Sequence, residues 1–172
     1  MRSAFAHSPS SAEWLCPQRR VRFQQVSIRG TPMKRIPATL KEFCQKQELL
    51  RLAYVDQRGQ PRVVPVWFVI IGSNYYVGTG SETAKWKAIQ GEPRVGWVID
   101  GGIRGKYKGV SMFGKAEEVT DRKLRGKIYR AFGEKYFGSA EHPKHIEIWG
   151  EVDDPGSVYL RLRQEDGFWW EY

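Results

Sequence analysis

From Leu49 onward the apolar positions fall in short runs broken by Gly, Asn, Asp and Pro, the pattern of strands joined by tight turns. "LLRLAYVD" ends at the turn "QRGQ" and "PRVVPVWFVII" ends at "GSN", so these two runs predict a hairpin, and "NYYVGT" predicts a third strand. A helix over about 82–90 follows, with Ser81 as its expected N-cap and Glu82 in its first turn. "RVGWVID" and "GKYKGVSMFGKAEEV" predict the fourth and fifth strands. Thr120 and Asp121 then open a helix in which Leu124, Ile128, Phe132 and Tyr136 recur every four residues, and Gly138 ends it. "EHPKHIEIWGEVDDPG" reads equally as a short helix or a strand, whereas "SVYLRLR" is a strand with Val158, Leu160 and Leu162 facing one way. Upstream, Pro37 suits the first position of a helix whose Leu40, Phe43, Cys44 and Gln47 share a side. Six short strands, three inserted helices and a predominance of hairpins predict a mainly β, α+β fold: a small antiparallel barrel with helical additions.

Residues 1–32 carry no sustained period, so the expected organisation is a basic, disordered arm over 1–32 and one folded domain over 33–172. Five Arg against one Glu in that arm account for +4 of the formal net charge of +9, and the rest is dispersed. Dispersed basicity suits a small anionic ligand at least as well as a nucleic acid. Trp67, Tyr76 and Trp97 are expected to face inward, not to form a stacking platform for bases, so no nucleic-acid partner is expected. The longest apolar run, 63–71, contains Pro65 and falls far short of the ~20 residues of a membrane helix, and residues 1–32 lack the apolar core of a secretory signal. Cys16 and Cys44 form no C-x-x-C pair, which suits a reducing, cytoplasmic setting. His142 and His145 form an H-x-x-H spacing without a third ligand, so no metal site is expected. "GGIRGKY" is not a phosphate-binding P-loop: three residues, not four, separate Gly101 from Gly105, and Tyr107 follows Lys106 where Ser or Thr is needed.

The chemistry worth pursuing lies in "NYYVGTGSETAKWKAIQ". A strand there runs into a helix N-terminus through Gly78, Thr79, Gly80, Ser81 and Thr83, with Lys85 just inside the helix. Exposed amides, small residues, hydroxyls and a lysine are what a phosphate group needs. An ordinary serine-capped strand-to-helix connection fits the same residues.

Four segments in this order decide between those readings. "LAYVDQRGQPRVVPVWF", "YYVGTGSETAKWKAI", "EPRVGWVID" and "GVSMFGKAEEV" resemble the pyridoxamine 5'-phosphate oxidase-like family over about 130 residues, from about Thr39 to Trp170. The resemblance implies a six-stranded split β-barrel that binds a flavin, FMN as first choice and a deazaflavin coenzyme as the alternative. It implies a phosphate site at Thr79, Gly80, Ser81, Thr83 and Lys85. Arg62 would make the charged contact to the ring system, Val64, Pro65 and Val66 would lie along the ring edge, and Trp67 would stack nearby. It further implies a homodimer with a cofactor at the interface, where Trp169 or Trp170 lies close to the ring. Three departures argue against oxidation of pyridoxamine phosphate itself. Ala84 stands where those oxidases carry Arg before the phosphate lysine, Gly109 stands in place of a Gln, and "EDGFWWEY" lacks the C-terminal Arg-x-His element. No nucleophile–base pair or paired acid stands out, no catalytic side chain is assigned, and the expected chemistry is that of a bound flavin reducing a small-molecule substrate. The reading from a different class is a non-catalytic flavin, deazaflavin or haem binding protein.

Overall fold

The computed structural model describes residues 36–172, so the arm expected over 1–32 lies outside the described residues. Six strands, β1 (Leu49–Val55), β2 (Pro61–Ile71), β3 (Asn74–Gly80), β4 (Arg94–Ile103), β5 (Lys106–Glu118) and β6 (Ser157–Glu171), pair antiparallel in the order β1-β2-β3-β6-β5-β4. Pairing of β4 with β1 closes the barrel and leaves no continuous free sheet edge. The β1–β2 register is set at its turn: the Asp56 carboxylate accepts the N–H groups of Arg58 and Gln60, both at 2.9 Å, and Gly59 takes the φ of 75° that the turn requires.

Strand alternation sends Leu50, Leu52, Phe68, Val77, Trp97, Ile99, Met112 and Leu160 into the barrel, where all are essentially inaccessible to solvent. Val158 and Leu162 join them, as the pattern predicted. Helix α1 (Ala38–Lys46) leads into β1 and adds Leu40 and Cys44 to this core, while α2 (Ala84–Gly91) follows β3 and adds Trp86 and Ile89. Because β1 and β3 run the same way in the antiparallel order, these two helices sit at opposite ends of the barrel.

A second, outer layer forms where α3 (Arg122–Phe137) and α4 (Pro143–Trp149) cover the sheet: Ile128, Phe132 and Trp149 pack on Val69, Tyr76 and Tyr159. Lys135 Nζ donates to the Phe68 carbonyl at 2.9 Å and the Phe68 N–H donates to the Tyr136 hydroxyl at 2.8 Å, which ties α3 to the sheet just beyond the last β1–β2 rung, Leu49↔Trp67.

The structure corrects several expectations. The ambiguous segment is helical, with Pro143 in its first position, so there are four helices among the described residues instead of three. Strand β6 runs on to Glu171 because its second half pairs with β5, a long-range partner that its own pattern does not announce. The cap of α2 is Thr83 and not Ser81: the Ser81 N–H is spent on the Gly156 carbonyl at 2.8 Å, and Thr83 Oγ1 accepts from the Trp86 N–H. Trp97 lies inside the barrel, but Trp67 and Tyr76 belong to the outer layer, covered by helices that a strand pattern cannot foresee.

Candidate cofactor site

The β2–β3 ladder runs only from Ile71↔Asn74 to Phe68↔Val77. Beyond it, β2 continues back to Pro61 against β1 alone, and β3 continues to Gly80 against β6 alone. The sheet therefore splits between these strands. Among the described residues, the facing edges of 61–67 and 78–80 have no ladder partner there, and backbone groups so placed need other hydrogen-bond partners. Val64, Pro65, Val66 and Trp67 lie on one lip of the split, Thr79 and Gly80 on the other.

The side chains on the β2 lip do not act alike. Val64 and Val66 turn inward against the core, leaving their backbone as the only part of them that can reach a ligand, while Pro65 is exposed. Trp67 is stacked on Tyr136 with centroids 4.6 Å apart and planes 13° from parallel, and Phe137 stands edge-on to it at 5.6 Å. Its ring is thus already packed under α3. Arg62 shares the barrel end of the 79–85 connection, but its guanidinium is held by Asp56 Oδ2 at 2.8 Å.

The 79–85 connection is built by its own hydroxyls. Thr83 Oγ1 donates to the Gly80 carbonyl at 2.9 Å, so Thr79 Oγ1, 2.8 Å away and almost fully buried, is the donor of the Thr79–Thr83 hydrogen bond. Neither the Ala84 nor the Lys85 N–H, the first two of α2, has a partner among the described residues. The Lys85 side chain is half-buried, makes no ion pair among the described residues, and burial alone pulls its pKa down. A partly desolvated lysine on the first turn of a helix, at the positive end of its dipole, is electrostatically unfavourable by itself and complementary to an anion. A dianionic phosphate fits this donor set; Ala84 contributes only its amide.

Trp169 and Trp170 lie elsewhere. Val158 pairs with Thr79, whereas Trp169 pairs with Val110 eleven residues further along β6, about 35 Å away in an extended strand. Trp169 is partly buried against the barrel core with its indole N–H unpartnered, and Trp170 covers Gly109, where a Cβ would come within 2.6 Å of its ring. One chain therefore gathers Arg62, the split and the 79–85 connection at one barrel end and leaves these two tryptophans at the other.

The residue that sequence reasoning missed is Trp149. Its ring lies directly on Gly78, next to Thr79, and a Cβ on Gly78 would stand 2.6 Å from Cζ3 and closer still to Cη2. The glycine inside strand β3 was the available signal, since a glycine in a strand interior often marks close approach of another group. The H-x-x-H pair is divided: His142 Nδ1 accepts the Lys144 N–H as the cap of α4, while His145 is fully buried with neither ring nitrogen partnered among the described residues. No metal-binding cluster of three ligands exists among the described residues, and no helix among them is long and apolar enough to cross a membrane.

Among solved structures, a conserved hypothetical protein of Mycobacterium tuberculosis superposes with a TM-score of 0.68 at 21% identity, over 81% of this chain and 86% of that chain. HutZ, the haem storage protein of Vibrio cholerae, gives 0.63 at 22% over 80% and 96%. A FAD-binding protein of Mesorhizobium loti gives 0.61 at 24% over 80% and 96%. At such identities the likeness is one of fold. No curated protein matches the sequence. The family model described as pyridoxamine 5'-phosphate oxidase matches residues 36–167, nearly all of the described barrel, and on that match the chain belongs to the pyridoxamine 5'-phosphate oxidase family.

Proposed function

We propose that the protein is a flavin-dependent oxidoreductase that holds FMN, or a deazaflavin coenzyme by the same phosphate contacts, and reduces a small molecule other than pyridoxamine phosphate. The observation that carries this reading is Lys85: a half-buried cation with no ion pair among the described residues, on the first turn of a helix whose Ala84 and Lys85 amides have no partner among them. Lys85 and those amides would hold the phosphate, with Thr79, Gly80, Ser81 and Thr83 shaping the turn. The unpaired lips of the split, 64–67 and 78–80, would meet the polar rim of the ring, and Arg62 would reach the cofactor only by sharing its charge with Asp56. When bound, the flavin supplies the redox chemistry; the chain binds and orients it. The phosphate cradle favours flavin over haem, whose anionic groups are carboxylates.

The proposed site needs a second copy of the chain. On the face that no helix covers, Val63, Ala53, Gly96 and Phe113 are successive cross-strand neighbours across β2, β1, β4 and β5. Val63 is 65% and Phe113 50% exposed, with small residues between them, so this row is a flat apolar surface of the kind monomers seldom leave bare. A two-fold partner turned end for end would bring its Trp169 and Trp170 toward the phosphate end of the first chain. A flavin spectrum in the purified protein, bleached by NAD(P)H, tests the reading as an enzyme; a haem spectrum would overturn it. Lys85→Ala should weaken FMN by about 1.5–3 kcal/mol and leave riboflavin, which lacks the phosphate, unchanged. Equal FMN affinity in both proteins would remove the phosphate assignment.

A further inference from the structure

At the barrel end plugged by α1, opposite the 79–85 connection, a cavity of about 600 Å³ lies between the start of α1, the β2–β3 turn and β6. That is the size of a small-molecule site. Ile36, Pro37 and Ile70 form apolar walls, and Lys41, Ser73, Tyr75 and Gln164 are the polar residues that line it. Tyr75 is the most informative of them. It is only 5% exposed, with its ring 5.8 Å from that of Trp97, yet its hydroxyl has no hydrogen-bond partner among the described residues. Burial also pushes its pKa further up, so the phenol keeps its proton and remains a donor.

The start of α1 adds independent donors. Pro37 occupies the cap position and offers no side-chain acceptor, no acidic residue stands in the first turn, and the first helical bonds begin at the Leu40 and Lys41 N–H groups. The Ala38 and Thr39 amides are therefore left without protein partners among the described residues. Lys41 is exposed and makes no ion pair among them. The site thus combines one cation, two helix-end amides, two hydroxyls and the Gln164 side chain with apolar walls. A single carboxylate satisfies such a donor set, and an attached hydrocarbon or aromatic body fills the remaining volume. A bare phosphate would leave the apolar walls of Ile36, Pro37 and Ile70 wet.

We propose that this cavity is a second ligand site, separate from the cofactor site, that takes a small carboxylic acid with an apolar body. Hexanoate is a suitable probe, with 1-hexanol as its uncharged counterpart, and saturation-transfer NMR on the full chain measures both. Hexanoate is expected to bind about tenfold more tightly than 1-hexanol, the size of one hydrogen bond to a charged group. Lys41→Gln and Tyr75→Phe should each remove most of that advantage, leaving 1-hexanol and FMN affinities as they were. Lys41 is at the surface, so its substitution reads the site even where loss of the Tyr75 hydroxyl disturbs the barrel. Absence of saturable hexanoate binding up to about 10 mM, or equal affinities for acid and alcohol in the native chain and in Lys41→Gln, would overturn the assignment.

Discussion

Gly78→Ala adds one methyl group and is expected to destabilise the barrel through a single contact. The new Cβ would stand 2.6 Å from Trp149 Cζ3 and closer still to Cη2, so the indole would have to retreat by more than about 1 Å to reach ordinary contact. It has little room to do so. Trp149 is 8% exposed and is packed against Phe132 at 5.4 Å, Tyr159 at 6.0 Å and Trp67 at 6.5 Å. Overpacking of this kind costs about 1–3 kcal/mol, rising toward the ~3–5 kcal/mol of a lost aromatic ring if Trp149 is expelled. Against it stands the ~0.4–1 kcal/mol that Ala gains over Gly by restricting the unfolded chain. With so short a contact the cost lies in the upper half of the overpacking range, and the net loss of about 1–2.5 kcal/mol should lower the thermal midpoint by about 2–10 °C for a chain of this length, measured by circular dichroism at fixed protein concentration without added flavin. In a Trp149→Leu background the same substitution should be within about 0.5 kcal/mol of neutral, because the ring it collides with is gone. A midpoint within about 1 °C of the native value, or an equal cost in both backgrounds, would refute the claim that Trp149 sits on this glycine.

The other expectations concern acid stability, the arm and the assembly. His145 is fully buried between Tyr129, 4.3 Å away, and Phe137, 5.5 Å away, and that burial pulls its pKa below 6.5. The unfolded chain therefore takes up this proton first, and stability should fall as pH drops from about 6.5 toward the lower folded value; His145→Phe should flatten that fall in melts between about pH 7 and pH 5. A chain beginning at Met33 should melt and bind flavin like the full chain, since the family match begins at residue 36; a large drop in midpoint would show otherwise. Light scattering should give twice the single-chain mass, and Phe113→Glu should produce the single-chain mass together with loss of flavin. Retention of flavin by a monomer would break the link between interface and site.

The parts of this protein legible in its sequence are those set by neighbours along the chain. Period-two runs and Gly-containing turns marked β1 to β5, the four-residue recurrence from Leu124 to Tyr136 marked α3, and the hydroxyl-rich link before Lys85 marked a strand meeting a helix. The order of those segments pointed to the family. Three things had to wait for the tertiary structure. The cap of α2 is Thr83, whose hydroxyl accepts the Trp86 N–H, while the Ser81 amide is tied to the carbonyl of Gly156, far along the chain. Trp67 and Tyr76 exchanged an expected interior for the layer under α3 and α4, because both faces of a strand are buried wherever a helix lies on it. The split between β2 and β3 exists because closure of the barrel commits the start of β2 to β1 and the end of β3 to β6, leaving the two lips apart. Local pattern determines which residues form strands and helices; which strands part, which ring lies on Gly78 and which amides stay unpartnered depend on contacts between distant segments, and only the closed barrel decides them.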